Sequence, residues 1–254
     1  MGCASGRRGR FKEPIEVMLA SADQQWRDRR RIGLDNVDLL LLQADMRKKD
    51  DREVLWRLAR VEVARGLAAE SPREATQHFG RARELGLRCL DRNGGFRQAR
   101  SKGDWPAALD QLPGVFAPCA GYGAVGWARW LHIIGPDAAS GDLEGLELLA
   151  KWTRRSSKEE WGGLGSWALG LVAARRPAWE APTLDRAADH FAAARTSGVR
   201  TLWLDADQLR LVATPLADEQ AAERLRAQIL AATNVTPEDR SAQRLVEATT
   251  PSAD

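Results

Sequence analysis

The chain has 254 residues, enough to bury a substantial core in one large domain or two small ones. Its 44% hydrophobic and 29% charged residues, with a mean hydropathy of -0.42, describe a soluble globular protein and exclude a disordered one. The longest apolar run, VDLLLLQA at 37–44, falls well short of the ~18 residues of a membrane span, and the 38 basic and 35 acidic residues are interspersed, which argues against nucleic acid as a partner.

In chain order, the opening MGCASG has no charged or apolar leader before it. Gly2 and Cys3 followed by small Ala4 and Ser5 resemble the end of a bacterial lipobox, in which the cysteine carries lipid; an accidental cysteine is the competing reading. Eukaryotic myristoylation at Gly2 wants Ser or Thr where Gly6 stands. The basic cluster RRGRFK at 7–12 reads as a solvated arm, so residues 1–12 are set apart from the domain. Helices follow over 14–32 and 36–49 and are expected to pair.

REVLWRLARVEVARGLAAE at 52–70 places Leu55, Leu58, Val61, Ala64, Leu67 and Ala68 on one broad helical face. Ser71 then caps, and Pro72 opens, a second helix over 72–93 that carries Ala75, Phe79, Ala82, Leu85 and Cys89 on a stripe and stops at Asn93–Gly95. The two form an antiparallel hairpin. The same device recurs at 184–198, where Ala187, Phe191 and Ala194 repeat the spacing of Ala75, Phe79 and Ala82, after a helix at 166–177 that offers Leu169 and Gly170. Small residues flanking an aromatic at this spacing are what the second helix of a tetratricopeptide hairpin uses to accept its partner. Further helices are expected at 116–135 pairing with 140–156, and at 201–213 pairing with 217–233, before a polar tail at 234–254. The fold class is therefore all-α: antiparallel hairpins of degenerate tetratricopeptide-like repeats over 13–233, coiled into a compact right-handed solenoid.

GYGAVG at 121–126 fits the spacing of a dinucleotide-binding turn, but Pro113 and Pro118 deny the preceding segment a central strand, and Glu144 and Glu147 lie on a helix. No cofactor is implied. Cys3, Cys89 and Cys119 are too scattered for a zinc site; Cys89 and Cys119 are either a disulfide or two buried thiols. His78 and His190 occupy equivalent packing positions in the two hairpins, His132 follows Trp130 on an apolar helix, and Ser166 is not centred in GxSxG. With no convergent nucleophile, base and oxyanion donors, the chain is expected not to be an enzyme.

Ten tryptophans against one tyrosine and five phenylalanines are a heavy aromatic loading. Core filling accounts for many of them, but Tyr122, Trp127, Trp130, Trp167 and Trp203 fall where inner helices would line a cleft for a small ligand. The glycines at 121, 123 and 126, like those at 162, 163 and 165, imply close helix packing, a cavity wall or a broken first turn.

HFGRARELGLRCLDRNGGFRQA at 78–99, GYGAVGWARWL and the later LGLVAARRPAWEAPTLDRAADHFAAARTSG together resemble the T component associated with TRAP transporters. Arg81, Ala82, Arg83, Gly86, Leu87, Leu90, Phe96, Trp127 and Phe191 occupy that family's positions over about 78–233, although Gly94 or Gly95 replaces its turn proline. The resemblance implies a periplasmic, non-enzymatic lipoprotein lipidated at Cys3, without other membrane contact. It would dock the solute-binding P component, bind or pass a small apolar ligand, and form homotrimers. If the start as written is genuine, the alternative is a cytoplasmic tetratricopeptide adaptor that binds a peptide.

Overall fold

The computed structural model describes residues 13–135, 143–157, 159–175 and 183–249. Among these residues every regular element is helical, with fourteen α-helices, one 3-10 turn, one π-helical turn and no strand. Cys3 and the arm at 1–12 lie outside the described residues, as does the link at 176–182.

Local chemistry sets the first hairpin. Asp51 caps α4 (Arg52–Ala68) by accepting the Glu53 N–H at 2.8 Å, and Ser71 caps α5 (Pro72–Leu90) by accepting the Glu74 N–H at 3.2 Å. Pro72 needs no N–H in the first turn, so it opens α5 without cost. The short link folds α5 back antiparallel: Glu62 meets His78 at 2.6 Å, and a Cβ added to Gly66 would stand 2.6 Å from the Phe79 ring.

The second hairpin repeats this packing. Phe191 of α11 (Thr183–Thr196) sits over Gly170 of α10 (Glu160–Arg175), where an added Cβ would stand 2.8 Å from its ring. Gly66–Leu67 is thus the counterpart of Gly170–Leu171. In each hairpin the glycine removes the side chain that would hold the phenylalanine off.

The glycines of GYGAVG have a related purpose. They lie in α8 (Ala117–Ile134). A Cβ on Gly86 of α5 would fall 2.5 Å from the Gly123 Cα, one on Gly126 2.6 Å from the Ala82 Cβ, and one on Gly121 3.0 Å from Leu164 of α10. The room they leave is filled by neighbouring helices on two sides. Cys89 and Cys119 are joined as a disulfide across the α5–α8 contact, with Cα atoms 5.8 Å apart.

The pairing of segments departs from expectation in places. α8 packs most extensively on α5 and α10, and less on α9 (Leu143–Ser156), which lies mainly against α10. Between α5 and α8 the chain makes short elements that periodicity misses: α6 (Gly94–Arg100), α7 (Trp105–Asp110) and a 3-10 turn at Gly114–Phe116. Asn93 accordingly starts a helix, accepting the Phe96 N–H at 2.9 Å, in place of the expected helix stop.

At the N-terminus α1 (Ile15–Arg27) packs on α3 (Asp35–Arg47), with the single turn α2 (Arg29–Ile32) between them. Val54, Leu58 and Val61 of α4 join Met18, Leu19, Val37 and Leu41 in a small core, while Leu55, Ala59, Val63 and Leu67 face the main one. α4 is therefore buried on both sides.

Residues 201–213 form α12 (Leu202–Gln208) running into the π-helical turn Leu209–Ala213, and both contact α13 (Glu219–Ala231). Most of the polar stretch beyond residue 234 is a packed helix. It forms α14 (Pro237–Thr249), which buries Ala242 and Val246 and packs back on α4 and α12. Its inner face needs only Ala242, Leu245 and Val246, spaced three and four apart among polar residues, which is why composition hides it.

Candidate functional site

The expected cleft residues divide among three environments. Tyr122 of α8 and Trp167 of α10 share a cavity of about 90 Å³ with Trp26 of α1, Arg60 of α4 and Glu238 of α14. At about 30 Å³ per molecule, that volume holds roughly three waters. Trp203 of α12 lines a separate groove of about 260 Å³ with Phe79, Arg129 and His132. Trp127 and Trp130 line neither; they pack beside Arg83 of α5, whose guanidinium carbon lies 4.5 and 4.9 Å from their ring centroids.

The walls of the first cavity are built by aromatic and cationic groups in layers. Arg29 and Arg60 lie 4.0 and 4.2 Å from the Trp26 ring, so that this indole is bound by two guanidinium groups. Tyr122 stacks on Trp56 at 6.3 Å, and Trp161 meets both rings edge-on. Burial pushes the Tyr122 hydroxyl above its ordinary pKa against the pull of Arg60, so it stays a neutral phenol.

The polar floor is paired but not saturated. Arg29 Nε donates to Glu238 Oε1 at 2.8 Å, and Arg60 Nη2 donates to Asp23 Oδ1 at 2.9 Å. Arg60 Nε and Glu238 Oε2 are buried and have no hydrogen-bond partner within the protein. A buried donor and a buried acceptor each left open cost about 1–3 kcal/mol, so the cavity has capacity to bind both signs of polar group.

A buried ion pair connects this cavity to the Trp203 groove. Trp167 Nε1 donates to Asp207 Oδ2 at 2.8 Å, and Arg129 Nη2 donates to the same oxygen at 2.5 Å. The Arg129 guanidinium carbon lies 5.4 Å from the Trp167 ring and 4.7 Å from that of Trp203. Arg129 and Asp207 are 6% and 1% exposed, so each charge depends on the other. Burial raises the Asp207 carboxyl above its usual value, opposed by Arg129 and the Trp167 N–H.

A larger groove, of about 400 Å³, lies between the start of α12 and α13–α14, and several of its polar side chains are engaged with one another. Asp205 accepts from Arg195 and from Gln228 at 3.1 Å, while Asp239 accepts from Thr201 and the Leu202 N–H at 2.7 Å. The two repeat histidines also diverge: His78 is bonded to Glu62, whereas His190 faces Arg154 at 3.5 Å. Among the described residues no three His, Cys, Asp or Glu side chains converge to hold a metal ion, and no helix is long and apolar enough to cross a membrane.

Sequence reasoning missed Trp26, Arg60, Arg129, Asp207 and Glu238. For two of them a signal existed: Arg129 is the one charge in WARWL, and Asp207 stands with Asp205 in the mostly apolar LWLDADQL. A charge on a buried helix face requires a buried partner, and the two are 78 residues apart. No protein-family model matches this chain, and no curated protein matches its sequence.

Proposed function

We propose that this protein is a non-enzymatic accessory component of a TRAP-type solute transport system: a scaffold that docks a solute-binding receptor and holds a small ligand in its interior. The observation that carries the ligand-binding part is the cavity between α1, α4, α8, α10 and α14. Its walls are Trp26, Tyr122 and Trp167, and its floor presents the open Arg60 Nε and Glu238 Oε2. The aromatic walls suit a small, largely apolar body, and the open polar atoms suit a polar end. Two of its arginines are held in ion pairs, Arg29 with Glu238 and Arg60 with Asp23, an arrangement suited to binding.

Two further observations support the fold-level reading of degenerate tetratricopeptide-like hairpins wound into a right-handed solenoid. The hairpins α4–α5 and α10–α11 seat Phe79 and Phe191 on Gly66 and Gly170 in the same manner. α8, lying against both α5 and α10, bridges them. The Cys89–Cys119 disulfide supports an oxidising compartment, consistent with a periplasmic protein anchored through lipid on Cys3. Homotrimer formation is part of the same proposal.

The test is copurification. The protein, tagged and exported with a lipoprotein leader, is coexpressed with a solute-binding P component from a TRAP system. Retention of the receptor supports the proposal. A well-exported, disulfide-bonded bait that retains no such receptor overturns the partner assignment.

A further inference from the structure

We propose that the groove between α4–α5 and α8–α12 is a binding site for a small organic anion, an oxyanion head on an apolar body. It is a second site, distinct from the Trp26–Tyr122–Trp167 cavity, and does not depend on the transport reading. The groove has a volume of about 260 Å³. Arg129 and His132 of α8 and Arg210 of the π-helical turn all line it, and the two arginines make it cationic.

Three features point to an anion. First, two donors are open. Arg129 Nε and His132 Nδ1 are buried and have no partner within the protein. Arg129 already gives Nη2 to Asp207, so the unused edge of its guanidinium is a preformed hydrogen-bonding group.

Second, the charges around His132 are unbalanced. Burial, with Arg129, Arg175 and Arg210, holds its pKa down to about 4, and Arg175 Nη1 donates to its backbone oxygen at 2.7 Å. Of the acidic groups on the surrounding elements, Asp207 of α12 is committed to Arg129 and Trp167, Asp205 to Arg195 and Gln228, Glu62 of α4 to His78, and Glu53 of α4 to Arg57 and Trp56; none of these lines the groove, whose one acidic lining residue is the exposed Glu70 after α4. A neutral imidazole protonated at Nδ1 then donates to a bound oxyanion.

Third, the backbone changes form at the site. Arg210 sits in a π-helical turn following α12. An extra residue per turn re-aims side chains, and such turns recur at ligand sites. Apart from Glu70 and Ser71, the remaining lining, which includes Leu67, Ala75, Phe79, Ile133 and Trp203, is apolar and would cover a hydrocarbon or aromatic body.

The experiment uses the full chain and three probes: benzoate, benzyl alcohol and inorganic phosphate. Binding is measured by calorimetry, and the His132 ring signals are followed by NMR over pH, assigned by loss in His132→Gln. Benzoate is expected to bind, to raise the His132 pKa by at least about one unit, and to lose at least about tenfold in affinity in Arg210→Gln. Arg210 is exposed, so that variant should melt like the parent, which separates loss of binding from loss of fold. Benzyl alcohol should bind at least about tenfold more weakly. Phosphate competing with benzoate at equal strength would overturn the apolar-body half of the proposal, and its failure to compete would support a carboxylate on an apolar body. Equal binding of benzyl alcohol, an unmoved His132 pKa, or full affinity in Arg210→Gln would overturn the proposal.

Discussion

At the residue scale, the molecule depends on charges that have been taken out of water. Arg129 and Asp207 form a buried pair, and Trp167 adds a third member through its indole N–H. Asp207→Ala leaves Arg129 buried with no counter-charge and should cost about 3–5 kcal/mol, read from the urea unfolding midpoint. The double variant Arg129→Met with Asp207→Leu should lose far less, because no lone charge remains. His132 makes a pH prediction. Its folded pKa of about 4 lies below the ordinary histidine value of 6.5, so the unfolded chain takes up a proton first as the pH falls. Stability is fully present above about 6.5 and declines between that pH and about 4, by about 2 kcal/mol after allowing for solvent screening. Chemical denaturation across that window should show a shallower slope in His132→Gln.

At the element scale, glycine decides how near the helices come. Gly86 and Gly123 face one another across α5 and α8, and Gly126 lies on Ala82. In an isolated helix Gly86→Ala would gain about 1 kcal/mol. Here the new Cβ would stand 2.5 Å from the Gly123 Cα, a backbone atom that cannot swing aside. The helices must separate, and the expected net effect is a destabilisation of about 1–3 kcal/mol, measurable as a lowered melting temperature. The hairpins themselves were legible because their determinants are local: Ser71 and Pro72 start α5, and the Ala-Phe-Ala spacing marks the faces that meet. Elements 94–116 were not legible, since helices of six or seven residues have too few turns to show a period and are held by Asn93, Asp104 and packing.

At the scale of the whole molecule, closure comes from contacts between parts remote in sequence. α14 returns to α4, and its Glu238 pairs with Arg29 of α2 while the Glu238 backbone oxygen accepts the indole N–H of Trp203 of α12 at 2.8 Å. The disulfide between Cys89 and Cys119 fastens α5 to α8 across a separation of 30 residues. On loop-entropy grounds its removal should lower stability by about 3–4 kcal/mol, checked by comparing unfolding of the oxidised protein with that of Cys89→Ser/Cys119→Ser.

Propensity, caps and periodicity act within a few residues, and they made the all-helical class, the two hairpins with Ala-Phe-Ala spacing and the absence of a strand before GYGAVG readable from the chain alone. Only the tertiary structure decided that the GYGAVG glycines admit α5 and α10, that Tyr122 and Trp167 reach one cavity while Trp203 reaches another groove, and that residues 237–249 are a packed helix. The physical reason is rotation. Successive residues on a helix point about 100° apart, so which side chain meets a cavity depends on where the neighbouring helices lie, and those neighbours come from distant parts of the chain.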